Sequence, residues 1–172
     1  MPMITNERYF SLLRSEIERG SLPRLKVAME CIRADYVKGK VEQGLLDPKL
    51  VRMKSMGLMV SQGLVDVRGK DDLTPIMWAC MVYRQKSLAG DQQGAQAADA
   101  IADWLLQEQA SVGAQGGREI IRSTDRRTGE AIHERGRGKT IMEALGWANL
   151  PPSVQHHIKR RRLVIEPELA AA

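Results

Sequence analysis

Three histidines, two cysteines and one Gly-Lys-Thr tripeptide are the residues of this chain whose types and spacing could do chemistry. His133-Glu134 opens like a zinc-protease motif but lacks the second histidine on the next helical turn, so that reading fails. His156 and His157 are adjacent, so a helix sends them to different sides, and no Cys or Asp stands near them in sequence. A metal site there would need ligands from distant residues; histidines facing solvent beside a basic run are the simpler reading. Gly138-Lys139-Thr140 ends like a phosphate loop, yet position 133, where such a loop needs its first glycine, is His133, and Glu134-Arg135 precede it instead of an apolar strand. No nucleophile elbow, Cys–His signature or dinucleotide fingerprint occurs. The expectation is a protein that is not an enzyme, with no cofactor and no metal.

Composition points the same way. Of 172 residues, 43% are hydrophobic and only 4% aromatic, which leaves the core to aliphatic side chains and nine methionines. Methionine fills irregular gaps and adapts to varied partners. Cys31 and Cys80, far apart and outside any CxxC pair, read as buried, reduced core residues of a cytoplasmic protein. No run of about 18 apolar residues is present, so no membrane span is expected, and the N-terminus lacks the pattern of a signal peptide. Net charge is +5 and unevenly placed. Between Arg118 and Arg162, eleven Lys and Arg face five acids, so that segment carries +6 and the rest is close to neutral. Such a surface attracts nucleic acid or an acidic protein face.

Periodicity then predicts the elements that must position these residues. A first helix is expected over about 6–19, with Thr5 or Asn6 as cap, Phe10, Leu13 and Ile17 on one side, and Gly20 at its end. A second is expected over about 23–42, with a Leu25, Met29, Ile32, Tyr36 stripe that Gly39 threatens to break in its last turn. Asp47-Pro48 is a strong start for a third, carrying Leu50, Val51, Met53, Met56, Leu58 and Met59 and stopping at Gly63. Thr74-Pro75 opens a fourth, with Ile76, Met77, Ala79, Cys80 and Tyr83. Ala89–Gln96 reads as a polar loop, and 97–109 as a fifth helix with Ala98, Ile101, Trp104 and Leu105 inward. Two β-prone arms around Asp125–Gly129 then suggest a hairpin. Thr140 starts a sixth helix and Pro151-Pro152-Ser153 a seventh, over about 153–162.

Two Thr-led helix starts, Thr74-Pro75-Ile76-Met77-Trp78-Ala79 and Thr140-Ile141-Met142-Glu143-Ala144, stand 66 residues apart. Two helix ends also look alike: Leu58-Met59-Val60-Ser61-Gln62-Gly63 and Leu105-Leu106-Gln107-Glu108-Gln109-Ala110. These residues resemble the ankyrin repeat, a turn, then Thr-Pro-Leu-His-x-Ala, then Leu-Leu-x-x-Gly-Ala-x-Val. In that pattern the Thr hydroxyl caps a helix, Pro fits its first turn, and Gly permits a left-handed turn. Here Ile76, Met77 and Trp78 stand in place of the usual residues, Gln109 stands where glycine is expected, and Ile141 replaces the proline. The resemblance is carried by Met53–Val112 and, more weakly, by Lys139–Ala148; it is absent from the first 45 residues. A generic helical bundle is the alternative.

The expected fold is therefore mostly all-α: a helical cap over residues 1–46, degenerate ankyrin-like repeats over 47–165 with an Arg-rich, β-hairpin-like insertion at 113–139, and a frayed tail over 166–172. The resemblance implies that a partner meets the turn at Asp66–Asp72, the inner-helix face and the long excursion. That gives Arg68, Trp78, Tyr83, Arg122, Arg126, Arg127, Arg135 and Arg137 as partner-binding candidates, with core packing as an equal explanation for Trp78 and a solvated loop for the excursion. The expected function is an adaptor or inhibitor that binds another, acidic protein. The alternative is a nucleic-acid-binding regulator using Arg122, Arg126, Arg127, Lys139, Lys159, Arg160, Arg161 and Arg162.

Overall fold

In the computed structural model of the chain, the backbone is described for residues 3–51, 54–116, 120–124, 131–135 and 138–165; side chains are described for these residues except 54–56, 120–124, 131–135 and 162–165. Most of it is helical. Helix α1 (Glu7–Arg19) begins where Asn6 Oδ1 accepts a hydrogen bond from the Tyr9 amide (3.1 Å). It ends at Gly20, whose φ of 69° is the left-handed conformation that glycine adopts most readily. Its apolar spacing buries Phe10, Leu13 and Ile17 as one stripe. Helix α2 (Leu22–Glu42) buries Leu25, Met29 and Ile32, and the Tyr9 hydroxyl donates to Asp35 Oδ2 at 2.7 Å to fasten the two helices. Burial, and next the Asp35 carboxylate, push the Tyr9 phenol up to about 12. Gly39 does not interrupt α2; all three buried residues lie in the N-terminal two thirds of the helix, and its last turns run on without a core beneath them.

The segment expected as one helix over 47–63 is three pieces: α3 (Pro48–Val51), α4 (Lys54–Ser61) and a 3-10 turn, Gln62–Asp66. Asp47 Oδ1 accepts from the Lys49 amide at 2.8 Å, as a cap should. The apolar stripe assigned to this segment does not pack inward, since Leu50, Leu58 and Met59 are exposed while Leu64, Val65 and Val67 are buried. Met53 and the side chain of Met56 lie outside the described residues.

Helices α5 (Pro75–Leu88) and α6 (Gln92–Gln107) form the tightest pair in the molecule, joined by residues 89–91. The expected loop over Ala89–Gln96 is thus mostly helix. Asp91 Oδ1 caps α6 by accepting from the Gly94 amide (2.8 Å), and Gln92 and Gln93 are good helix formers, so the polar composition misled. Thr74 holds N-cap backbone geometry for α5, but its hydroxyl is buried and makes no hydrogen bond. Thr140 does cap: its hydroxyl accepts from the Glu143 amide and the Glu143 carboxylate accepts from the Thr140 amide, starting α7 (Ile141–Leu145). A 3-10 turn (Trp147–Asn149) leads into α8 (Pro152–Ile165), which packs on α6.

Strands β1 (Ile120–Thr124) and β2 (Ala131–Arg135) pair antiparallel, Ile120 opposite Arg135 and Thr124 opposite Ala131. The expected turn at Asp125–Gly129 falls outside the described residues, as does the tail 166–172. One core runs through α1, α2, α5 and α6, with Leu64, Val67, Ile141, Leu150 and Val154 joining it. Cys80 is part of that core, and burial pushes its thiol up to about 12. Cys31 is exposed on α2, against the expectation that both cysteines are buried, because it lies off the stripe of Leu25, Met29 and Ile32.

Candidate functional site

Arg68, expected to face a partner, is an internal strut. It is 7% exposed, and one Nη donates to the Asp72 carbonyl (2.9 Å) and the Gln115 carbonyl (2.6 Å) while lying 3.3 Å from the Asp72 carboxylate. Its own backbone pairs with the N-terminal segment: its amide donates to Ile4 O, and the Asn6 amide donates to its carbonyl. Three stretches of chain meet on this one residue, and its guanidinium is engaged inside the fold. A turn near hairpin-tip position suggested exposure; only packing of residues 4–6 and 115 over it removes it from water.

Trp78 is half-buried. Phe10 meets its ring edge-on (centroids 6.5 Å apart, planes at 84°) and the Arg14 guanidinium lies 4.2 Å over its face. Its indole N–H is buried without a hydrogen-bond partner. Tyr83 is half-buried at a cavity of about 360 Å³ shared with Ser87, Gln92 and Asp99. The two aromatics are therefore not brought together into one open face. Arg122 and Arg135 lie on β1 and β2, but their side chains, and Arg126, Arg127 and Arg137 entirely, fall outside the described residues. The Lys139 backbone exchanges two hydrogen bonds with Gly116, of 3.0 and 3.1 Å. On α8, Arg160 and Arg161 are exposed, the Lys159 ammonium stands 5.6 Å over the Trp147 ring, and the Arg162 side chain is not described.

The residues that sequence reasoning missed line an open groove of about 740 Å³ between the C-terminal half of α2 and α3–α4. Its walls are Ala34, Val37 and Val41 from α2 and Pro48, Val51 and Leu58 from the facing segment, with Glu30, Arg33, Lys38 and Glu42 around the rim. Arg33 is held to Glu108 on the far side (2.8 Å), and Lys38 pairs with Glu42 at 3.8 Å. The groove floor is set by Ser61, whose hydroxyl turns back to the Gly57 carbonyl (2.6 Å) and so needs no outside partner. Leu45, Leu50 and Met59, in the same stretch of chain as α3 and α4, are exposed as well. A signal existed: α2 carries Val27, Val37 and Val41 off its buried stripe, more apolar surface than one core face uses.

Among the described residues no group of three or more His, Cys, Asp or Glu is placed to hold a metal ion, and no helix is long and apolar enough to cross a membrane. What these residues define is a mostly helical protein with an apolar groove at one end. No protein-family model, no curated protein and no solved structure matches the chain.

Proposed function

We propose that this chain is a non-catalytic protein-interaction module, an adaptor or inhibitor that seats an amphipathic helix of a partner protein in the α2/α3–α4 groove. The observation that carries this reading is the groove itself: an aliphatic lining of Ala34, Val37, Val41, Val51 and Leu58, with Glu30, Arg33, Lys38 and Glu42 beside it and Leu58 strongly exposed. Contiguous apolar surface of this kind costs solubility unless something covers it, and a trough walled by two helices accepts a third by burying its apolar stripe.

The ankyrin-like reading supports the choice of occupant. Positions 47 apart touch at two places, where Gln62 Nε2 donates to Gln109 Oε1 (2.7 Å) and Arg68 donates to Gln115 O. Neighbours of this kind are what stacked repeats produce. Gln109 also has a φ of 70°, the left-handed conformation for which the pattern uses glycine. In such a stack Leu58 and Leu105 stand in corresponding places, but Leu105 is fully buried and Leu58 is 59% exposed. Leu58 thus lies where the packing of α2 on α4 leaves an opening that another helix can fill. The Arg-rich strand pair β1–β2 is read as a finger inserted into the stack that meets an acidic part of the same partner.

The test is selection of peptides from a displayed library against the wild-type protein and a Val37→Glu/Leu58→Glu variant, the variant first checked for unchanged helicity and melting. Helical peptides with apolar residues at i, i+3 or i+4 and i+7 should be enriched on the wild type. Their affinity should fall at least about tenfold on the variant and change little with salt. Equal binding to both proteins, or enrichment of nothing, overturns the reading. Salt-steep binding to generic duplex in place of peptide would favour the nucleic-acid regulator, for which exposed Arg160 and Arg161 are the specific observation.

A further inference from the structure

A second cleft, of about 730 Å³, lies on another face of the molecule between α6 and α8. Its geometry begins at Asp99, which accepts hydrogen bonds from the Ser153 amide (3.0 Å) and hydroxyl (2.7 Å) and so locks the first turn of α8 onto α6. Val154, fully buried, and Ile158, partly buried, then take the core side of α8. The remaining helical spacing leaves His156, His157, Arg160 and Arg161 along the cleft. From α6 the wall receives Leu106, Gln107 and one acid, Asp103, whose carboxylate already accepts from Gln107 Nε2 (2.9 Å).

Two further facts point to a ligand. Nε2 of His157 is buried and makes no hydrogen bond, although the ring is only partly buried as a whole. A buried ring nitrogen without a partner is costly unless a bound group supplies one. Arg160 and Arg161 make no ion pair with another described residue, so two guanidinium groups line the same cleft as His157 with one already engaged carboxylate, Asp103. Paired guanidinium forks match the oxygens of a tetrahedral anion, and a protonated imidazole adds a third donor.

We propose that the α6/α8 cleft is a binding site for phosphate groups, with Arg160 and Arg161 as its fixed cations and His157 as a ligand that donates when protonated. The titratable groups that share the cleft with His157 are Arg160, Arg161 and His156 on α8 and Asp103 on α6; Asp99 is engaged by Ser153 and Lys159 stands over the Trp147 ring. Burial first, then Arg161 and Arg160, hold the His157 imidazole below its usual range, so the empty site keeps it neutral near pH 7. An anion between the arginines offsets their repulsion, draws a proton onto His157, and binds more tightly as pH falls.

Calorimetry on the full chain with pyrophosphate, anisotropy with a short labelled duplex of arbitrary sequence, and sulfate titrations at pH 8 and pH 6 test this. Sulfate keeps its charge over that range, so any tightening at pH 6 belongs to the protein. Saturable pyrophosphate binding, weakened at least about tenfold in Arg160→Gln/Arg161→Gln, is expected. Sulfate should bind more tightly at pH 6 than at pH 8, and His157→Gln should abolish that difference. Duplex binding that pyrophosphate competes away identifies a nucleic-acid backbone as a source of the phosphate; pyrophosphate binding without duplex binding identifies a small phosphorylated molecule. Absence of binding by both probes, or binding equal in wild type and the double-Gln variant, overturns the site. A pH difference that survives His157→Gln overturns the histidine's part. Because Val37→Glu/Leu58→Glu leaves this cleft untouched, its failure and that of the groove are read separately.

Discussion

The two clefts have nearly the same volume, about 740 and 730 Å³, and carry different side chains. One is floored by valines and a leucine with charges confined to its rim; the other is walled by two arginines and two histidines over a single leucine. Both come from a helix that carries more than its core stripe requires. Helix α2 runs on past Ile32 with half-buried valines that line the groove instead of the core, whereas α8 spends Val154 and Ile158 on the core and keeps cations on the adjoining face. The difference teaches that volume selects nothing here. The surplus residues on each helix decide that one cleft suits an apolar helix, whose binding ignores salt, and the other an anion, whose binding depends on salt and pH.

The sharpest way to break this contrast uses the aligned leucines. Leu105→Ala should cost about 2–5 kcal/mol, as a cavity in a closed core does, while Leu58→Ala should stay within about 0.5 kcal/mol. Urea denaturation of both variants measures the difference, and equal costs would mean that the groove is closed. Next in size is Arg68→Ala, expected to lose about 3 kcal/mol in the same experiment, because Asp72 and two carbonyls lose a buried cation that no water replaces. Binding at either cleft by the fraction still folded should be unchanged, since Arg68 lines neither.

Asp99→Ala should cost about 1–2 kcal/mol by freeing the start of α8. It separates the clefts: anion affinity at α6/α8 should drop, and peptide affinity in the α2/α4 groove should hold. The smallest effect is a pH dependence. His157 is held below its unfolded value of about 6.5, so the unfolded chain takes up the proton first. The stability it contributes is full above about pH 6.5 and is lost as pH falls through the folded-state value. Melting curves from pH 8 to pH 5 should therefore decline less in His157→Gln than in the wild type.

Much of the helical framework was legible. Asn6, Gly20, Asp47-Pro48, Thr74-Pro75 and Thr140 marked starts and stops because capping and φ preference act within a few residues. Their limits were equally local. Ala89–Gln96 was misread because glycine and glutamine look like loop until Asp91 is seen to cap the helix, and Thr74 took its capping geometry with its hydroxyl unbonded. The candidate sites were far less legible. Arg68 looked exposed and is buried, Cys31 looked buried and is exposed, and neither cleft was visible: one needs α6 and α8, distant in sequence, and the other depends on how the neighbouring segments α2 and α3–α4 fold against each other.

By itself, then, the sequence determined a mostly helical chain, the ends of several helices, and the uneven placement of charge, all properties set by neighbours within a turn or two. Tertiary structure alone decided which apolar residues close a core and which stay open. That choice depends on whether a second helix arrives above them: α6 has α5 and α8 against it, so Leu105 is sealed, while Val37 and Val41 of α2 and Leu58 of α4 line the open groove between their helices.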